Sequence, residues 1–362
     1  MDDSPTTGIG PTENVPPAAI LMEALCALLV SQAVAVAATL GIADLLAAEE
    51  RGIDALAAAA GADSGALGRV LRTLAMKGIF RETNPGRFAN TPQSDLLRSD
   101  IPGSLRDIAR WVGTEAHWDV YGRMTDAVRS GEPQWRAVHG SDLFPFLFQQ
   151  RPDLGLLFNQ AMASFSSTTI PAIVAACDFT GASIVADVGG GSGHLLAAIL
   201  RRNPALRGVL FDTPGGLDGA PTLLAEEGIA ERIDVVPGDF TKEIPIVADV
   251  YLLKHVVHDW NDADAGRILA ALRRSMPPQS RLLLVEMVIA PGNTPHFGKI
   301  CDLDMLVSVG GRERSEEEFR GLLEGAGFSL VRIIPTPSIV SILEAIPHPS
   351  GPPFTAADQP RA

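Results

Sequence analysis

The residues Ile184-Val185-Ala186-Asp187-Val188 form an apolar run that breaks into Gly189-Gly190-Gly191-Ser192-Gly193 and resumes with helical spacing from Leu195 to Leu200. This passage predicts a strand, a tight turn and a helix whose backbone lets a ligand approach closely. Glycine spacing discriminates among ligands. A dinucleotide site needs G-x-G-x-x-G, with a last glycine that lets the helix pack beside a pyrophosphate, and His194 stands in that place. A P-loop needs Gly-Lys-Ser/Thr, which does not follow. G-x-G-x-G after this strand suits a ligand with an adenosine and an amino acid but no phosphates, S-adenosyl-L-methionine. Taken alone, the turn also reads as a plain glycine loop.

Further groups recur at the ends of later apolar runs. Residues 208–211 end in Asp212, about twenty residues past the turn, where an acid can accept both ribose hydroxyls. Residues 233–236 lead to Gly238-Asp239-Phe240, an acid for an adenine amino group beside a ring for its face. Each acid is singly readable as a turn or cap residue; three signals in register point to a site. Residues 250–253 run into Lys254-His255-Val256-Val257-His258-Asp259-Trp260. Two histidines three apart make a weak metal site without a third ligand, so no metal is expected. The better reading of His258 is a general base, supported by Glu286 after residues 282–285 and by Glu313 in Gly310-Gly311-Arg312-Glu313-Arg314. Carboxylates beside an imidazole orient it and favour its protonated form. Glu313 also reads as a charge before the capping box of Ser315 and Glu318.

The elements that must hold these groups alternate, strand and helix, from 184 to 286, which predicts a mostly parallel sheet of Rossmann-like α/β class, closed by a strand pair at 329–335 and 339–345. A helical run containing Phe158, Met162 and Phe165 on one face leads into it. Upstream, residues 101–150 are helical and aromatic. Residues 53–61, 64–74 and 78–88 read as helix, helix capped by Ser64, and hairpin. That winged-helix pattern fits either a DNA-binding regulator using Arg69, Arg72 and Lys77 or a scaffold without nucleic acid. With 362 residues, 46% of them hydrophobic, two domains are expected, and a formal charge of -14 disfavours a nucleic-acid partner. Cys26, Cys177 and Cys301 are too dispersed for a disulfide framework or zinc site, which points to a reducing, cytoplasmic setting. The apolar stretch 18–46 lacks a basic flank and carries Glu23, Gln32 and Gly41, so it reads as helices covered by another subunit rather than a membrane span.

Together, Leu253 to Asp262, Asp187 to Gly193 and Gly310 to Ser315 resemble the caffeic-acid and hydroxyindole type of S-adenosylmethionine-dependent O-methyltransferases, including bacterial natural-product members. The resemblance spans about 18–345. It implies cofactor contacts at Gly189, Asp212, Asp239, Phe240, Lys254 and Trp260, a base at His258 flanked by Glu286 and Glu313, and an acceptor pocket lined by Phe158, Met162 and Met305. It also implies that the winged-helix-like region serves homodimerisation, and that the reaction is methyl transfer to a hydroxyl of an aromatic or polycyclic small molecule. N-methylation, cofactor-retaining hydroxylation and a DNA-binding regulator are the alternatives. Phe240 stands where plant members often have Met, Phe165 replaces a polar contact, and the segment from Met305 to Gly310 is one residue shorter, which argues against plant-type acceptors. The expected division is a disordered tail over 1–17, a winged-helix-like dimerisation domain over 18–150, a catalytic domain with its linking helix over 151–346, and a disordered tail over 347–362.

Overall fold

The computed structural model describes residues 15–348. Most of both expected tails therefore lies outside the described residues; of the rest, Pro17 opens a helix and Pro347 ends a strand. The chain divides into two compact units, Met1–Gly113 and Thr114–Ala362.

In the first unit a 23-residue helix, Pro17–Thr39, stops at Gly41, whose φ of 65° turns the chain into the short helix Ile42–Leu45. Helices Ile53–Ala60 and Ser64–Met76 follow, then a hairpin of Phe80–Asn84 and Arg87–Asn90 with Arg51–Gly52 added at its edge. Ile42, Leu56, Leu71, Leu74, Phe80 and Phe88 are fully buried and close the core of this unit. The sequence reading of helix, helix and hairpin holds, but the cap differs. Asp63, not Ser64, caps the second helix, accepting the Ala66 N–H at 2.8 Å. A carboxylate at that position both pairs with an orphan donor and meets the positive helix end. The Pro17–Thr39 helix is long and apolar enough to cross a bilayer by length and composition. It leaves Ile20, Leu21, Met22, Leu25, Leu28 and Leu29 exposed.

The second unit is built on a seven-stranded sheet. We number its strands β1 (Ile184–Val188), β2 (Arg207–Asp212), β3 (Ile233–Pro237), β4 (Val250–Lys254), β5 (Arg281–Glu286), β6 (Phe328–Pro335) and β7 (Ser341–Pro347), in the spatial order β3-β2-β1-β4-β5-β7-β6. β1 to β5 are parallel, and β7 runs antiparallel between β5 and β6. Alternate residues of β4 feed different cores: Val250 and Leu252 face one side, Tyr251 and Leu253 the other. That burial on both faces is why these strands read as continuous apolar runs. Register levels the strand ends: Val188 stands beside Phe211, Asp212 beside Pro237 and Lys254 beside Val285. The carboxyl ends of five strands thus share one edge, and the order reverses between β1 and β4, where open α/β sheets take ligands.

The expected domain boundary at 150 differs from the observed division after Gly113. Packing explains the shift. Trp135 and His139 lie against Phe146, with ring centroids 5.7 and 4.6 Å away. His117 Nε2 and the Tyr121 hydroxyl meet Asp304 Oδ1 at 3.2 and 3.0 Å, on the helix Gly298–Ser308. These helices belong to the sheet's unit because their aromatic and polar partners do.

Replacing Asp63 with Ala should lower stability by about 1 kcal/mol, whereas Ser64→Ala should change it by less than about 0.5 kcal/mol. Chemical unfolding of the full chain distinguishes the two; equal losses would return the cap to Ser64.

Candidate active site

The glycine turn follows β1. Gly189 has φ 73°, and a Cβ there would stand 2.6 Å from Val256 Cγ2. Gly191 has φ 58° and opens on space, a Cβ meeting no atom within 4 Å, while its N–H donates to Asp212 Oδ2 at 2.8 Å. The turn is thus packed on one side and clear on the other. Asp212, at the end of β2, also accepts the Thr213 N–H at 2.6 Å. Burial raises its carboxyl above the usual range, with these donors pulling the other way. Asp187 is buried beneath the turn, and its Oδ2 has no hydrogen-bond partner. Burial pushes its carboxyl up to about 7, opposed by the Lys254 ammonium. Lys254, at the end of β4, donates to Ser166 Oγ at 2.8 Å, and burial pulls it down to about 8. After β3, Asp239 accepts the Thr241 N–H at 3.0 Å and pairs with Lys242 at 3.0 Å. Phe240 meets Trp260 edge-on, centroids 6.4 Å apart. An unpartnered buried carboxyl oxygen, an open glycine face and an aromatic pair at neighbouring strand ends are what an adenosine-bearing amino-acid ligand requires.

Beyond Lys254 the chain makes a turn that carries two histidines. His255 has φ 52°, the only positive value at a non-glycine among the described residues. Such a conformation costs about 1–3 kcal/mol and persists where neighbours enforce it. The short helical turn Val257–Asp259 then presents His258. Its Nδ1 donates to Glu313 Oε1 at 2.8 Å, and its Nε2 lies 3.5 Å from Asp259 Oδ1. The carbonyls of this turn are also held. Arg314, fully buried, donates to Val257 O at 3.1 Å and Trp260 O at 2.8 Å while pairing with Asp262 at 2.9 Å. The Arg312 N–H donates to His258 O at 2.8 Å, and a Cβ on Gly311 would fall 2.0 Å from that same oxygen. Only glycine fits there.

Glu286 stands beside the His258 ring, with ligand atoms of the two within 4.8 Å, and makes its own direct contacts with the residues just before it. From the end of β5 its Oε1 accepts the Val257 N–H at 3.0 Å, and its Oε2 stands 3.7 Å from His255 Nδ1. Burial pulls His258 down, but Asp259, the hydrogen bond that His258 donates to Glu313 and the charge of Glu286 outweigh it and raise the ring to about 10. Burial, with the charges of Lys254 and His258, drives His255 well below the ordinary histidine value. Burial raises Glu286 to about 7, eased by His258.

Glu286 also supplies what the sequence reading lacked for a metal site, since it, His255 and His258 offer ligand atoms within 4.8 Å of one another. One nitrogen of His258 is already committed to Glu313. Of the expected pocket residues, Phe158 on the helix Pro152–Ser167 meets Phe144 and Phe148 edge-on, centroids 6.2 and 6.5 Å away. Met162 on the same helix and Met305 on Gly298–Ser308 are half-buried. Sequence reasoning missed Asp187, Ser166, Asp259 and Arg314. Arg314 lay inside a motif already singled out, but nothing in spacing says that its guanidinium turns inward.

Comparison with known proteins follows the same outline. The pattern described as an O-methyltransferase domain matches residues 121–329, and an O-methyltransferase dimerisation domain matches 22–100. The chain is 42% identical over 341 residues to the phenazine O-methyltransferase PhzM of Lysobacter antibioticus, covering 93% of this chain and 99% of that one. It is 40% identical over 308 residues to the mitomycin biosynthesis 6-O-methyltransferase of Streptomyces lavendulae, covering 84% and 87%. The crystal structure of human N-acetylserotonin methyltransferase in complex with S-adenosylmethionine superposes with a TM-score of 0.84 at 26% identity, covering 93% and 99%. Other relatives of similar extent are named for N-methylation and for hydroxylation.

If Glu313 is what holds the His258 ring high, Glu313→Gln should move its titration down by at least about one unit, toward the ordinary 6.5. Histidine ring resonances followed by NMR across pH measure this; an unmoved titration would show that Glu313 does not set it.

Proposed function

The chain belongs to the O-methyltransferase family, and from that premise we propose that it transfers a methyl group from S-adenosyl-L-methionine to a hydroxyl of an aromatic or polycyclic small molecule, with His258 as general base. The cofactor supplies a methyl already activated on a sulfonium. Gly189, Asp212, Asp239, Phe240, Lys254 and Trp260 would hold it at the strand ends, and Phe158, Met162 and Met305 would line the acceptor side. In this reading His258 Nε2 would take the proton of the acceptor hydroxyl as the oxygen bonds the methyl carbon, whose bond to the sulfonium of the bound cofactor would break with its electron pair left on sulfur.

The observation that carries this reading is the 2.8 Å bond between His258 Nδ1 and Glu313. It commits one ring nitrogen as donor and leaves Nε2 as the one that can accept. Proton transfer from a phenol near pKa 10 to an ordinary histidine near 6.5 is uphill by about 5 kcal/mol. A ring raised to about 10 removes most of that gap. A base is also what separates hydroxyl from nitrogen acceptors, because an amine offers its lone pair without prior deprotonation. A DNA-binding role is poorly supported: Lys77 is engaged by Glu23, and the net charge is -14.

We further propose a homodimer joined through the Pro17–Thr39 helix, because its exposed leucines lie within the region that matches a dimerisation domain. Three free cysteines, Cys26 exposed, support a reducing, cytoplasmic setting.

Incubation with methyl-labelled cofactor and a panel of phenols, quinones and hydroxylated polyketides should transfer one methyl to a hydroxyl of some panel member. His258→Ala should cost about two to four powers of ten in turnover while cofactor binding survives; unchanged turnover sinks the base. Since the ring must be neutral to take a proton, kcat/KM should rise with pH above neutrality, and Glu313→Gln should bring that rise to lower pH. Leu25→Asp with Leu29→Asp should turn the dimer into monomers by light scattering, and a variant still dimeric would move the interface elsewhere.

A further inference from the structure

The helix Gly298–Ser308 carries a carboxylate that the reaction as described does not use. Asp304 Oδ1 accepts from His117 Nε2 at 3.2 Å, from the Tyr121 hydroxyl at 3.0 Å and from Ser308 Oγ at 2.9 Å. His117 and Tyr121 stand one turn apart on the helix Glu115–Tyr121, which is why both reach it. Three donors saturate one oxygen of a carboxylate, and the other remains. Among the described residues no donor reaches Oδ2 and no lysine or arginine pairs with the group, yet the side chain is 33% exposed. Burial favours the neutral acid, but the three donors outweigh it and hold the carboxyl below its usual range. Asp304 is therefore ionised, fixed in place and open to a ligand on one oxygen.

Its surroundings are aromatic, and they adjoin the base. The Tyr121 ring stands edge-on to Trp118, centroids 6.3 Å apart, and lies 4.5 Å from the His117 ring. Trp118 and Tyr121 are both half-buried. The next residue, Met305, is one of those proposed to line the acceptor side. Burial raises the Asp259 carboxyl to about 6 against the charge of His258, and the charges of Glu313 and Asp304 add to the rise. Asp259 itself lies 3.5 Å from His258 Nε2, so Asp304 acts within the same electrostatic field as the base.

We propose that Asp304 Oδ2 binds a protonated alkylamine carried by the acceptor away from the hydroxyl that receives the methyl group, so that, with His258 read as the base facing that hydroxyl, the enzyme takes cationic phenols in preference to neutral or anionic ones. A carboxylate beside aromatic rings suits an organic ammonium, which can pair with the one and lie against the other. A neutral donor gains only the hydrogen bond. An acceptor bearing its own carboxylate meets repulsion from Asp304 and from the acids around the base. An arylamine does not qualify, because its nitrogen is unprotonated near neutral pH.

The test uses 6-(aminoalkyl)-2-naphthols with tethers of one, two and three methylenes, and the 6-alkyl- and 6-(carboxyalkyl)-2-naphthols of matching length. Their binding to the S-adenosylhomocysteine-loaded protein is measured by calorimetry, and their methylation is measured separately. At one tether length or more the amine should bind roughly tenfold more tightly than its alkyl counterpart, and the carboxylate more weakly than either. Added salt should narrow that preference. Asp304→Asn keeps an amide oxygen for the three donors and removes the charge, and should bring amine and alkyl ligands to within about twofold of each other. Asp304→Ser, uncharged and smaller, should do the same. Tyr121→Phe removes one donor but neither the charge nor the ring, and should keep the preference. A carboxylate that served only to join two helices would instead lose stability in all three variants without altering the ranking. No preference for the amine at any tether length in the native chain, or a preference that survives the loss of the charge, would overturn the proposal. Methylation without regard to tether charge would overturn it and leave the reaction standing; amine preference without methylation would keep the site and remove the reaction.

Discussion

Two charges that meet inside the protein set the terms for the rest of the catalytic unit. His258 and Glu313 are both buried, and a buried ion is tolerated only where its partner's geometry is held. The 2.8 Å bond between them therefore demands a fixed turn on one side and a fixed loop on the other. The structure provides both through one segment. Gly311 lets the backbone pass against the His258 carbonyl, Arg312 bonds that carbonyl, Glu313 takes the ring, and Arg314 ties the carbonyls on either side. Arg314 is itself fully buried, and it is affordable there because Asp262 and two carbonyls use its donors.

The sheet supplies the frame that makes such a turn possible. Parallel strands in level register bring five carboxyl ends to one edge, and both faces are sealed by apolar side chains. Polar side chains placed at that edge lose water, which is why Asp187, Glu286 and Lys254 all depart from their ordinary protonation behaviour in the direction of neutrality. His258 departs the other way because carboxylates surround it. One edge therefore holds groups poised near neutral pH beside an imidazole held well above its ordinary value, a clustering of perturbed groups typical of functional sites.

Much of this was legible in the amino-acid order. The apolar runs at 184–188, 208–211, 250–253 and 282–285 became the strands Ile184–Val188, Arg207–Asp212, Val250–Lys254 and Arg281–Glu286, because strands buried on both faces leave a continuous hydrophobic signature. The glycine turn was legible too, since positive φ at Gly189, Gly191 and Gly193 is something that other residues adopt only at a cost. So was the capping box of Ser315 and Glu318, a purely local pairing.

What the sequence left open are the matters decided by side chains distant in the chain. Spacing put Glu286 near His258, and only the register of β5 against β4, with the turn beyond Lys254, shows that it also accepts from Val257 and faces His255. The part of the aromatic run beyond Gly113 looked like part of the N-terminal half until the partners of His117 and Tyr121 proved to lie at Asp304. His255 itself read as a poor metal ligand. Its strained turn, its buried nitrogens and its place beside a second carboxylate arise only when β4, β5 and the helix Pro152–Ser167 converge. Local order determines which residues become strand, turn and cap, because those choices are settled over a few neighbours. Which polar group meets which is settled by burial, and burial is a property of the assembled chain.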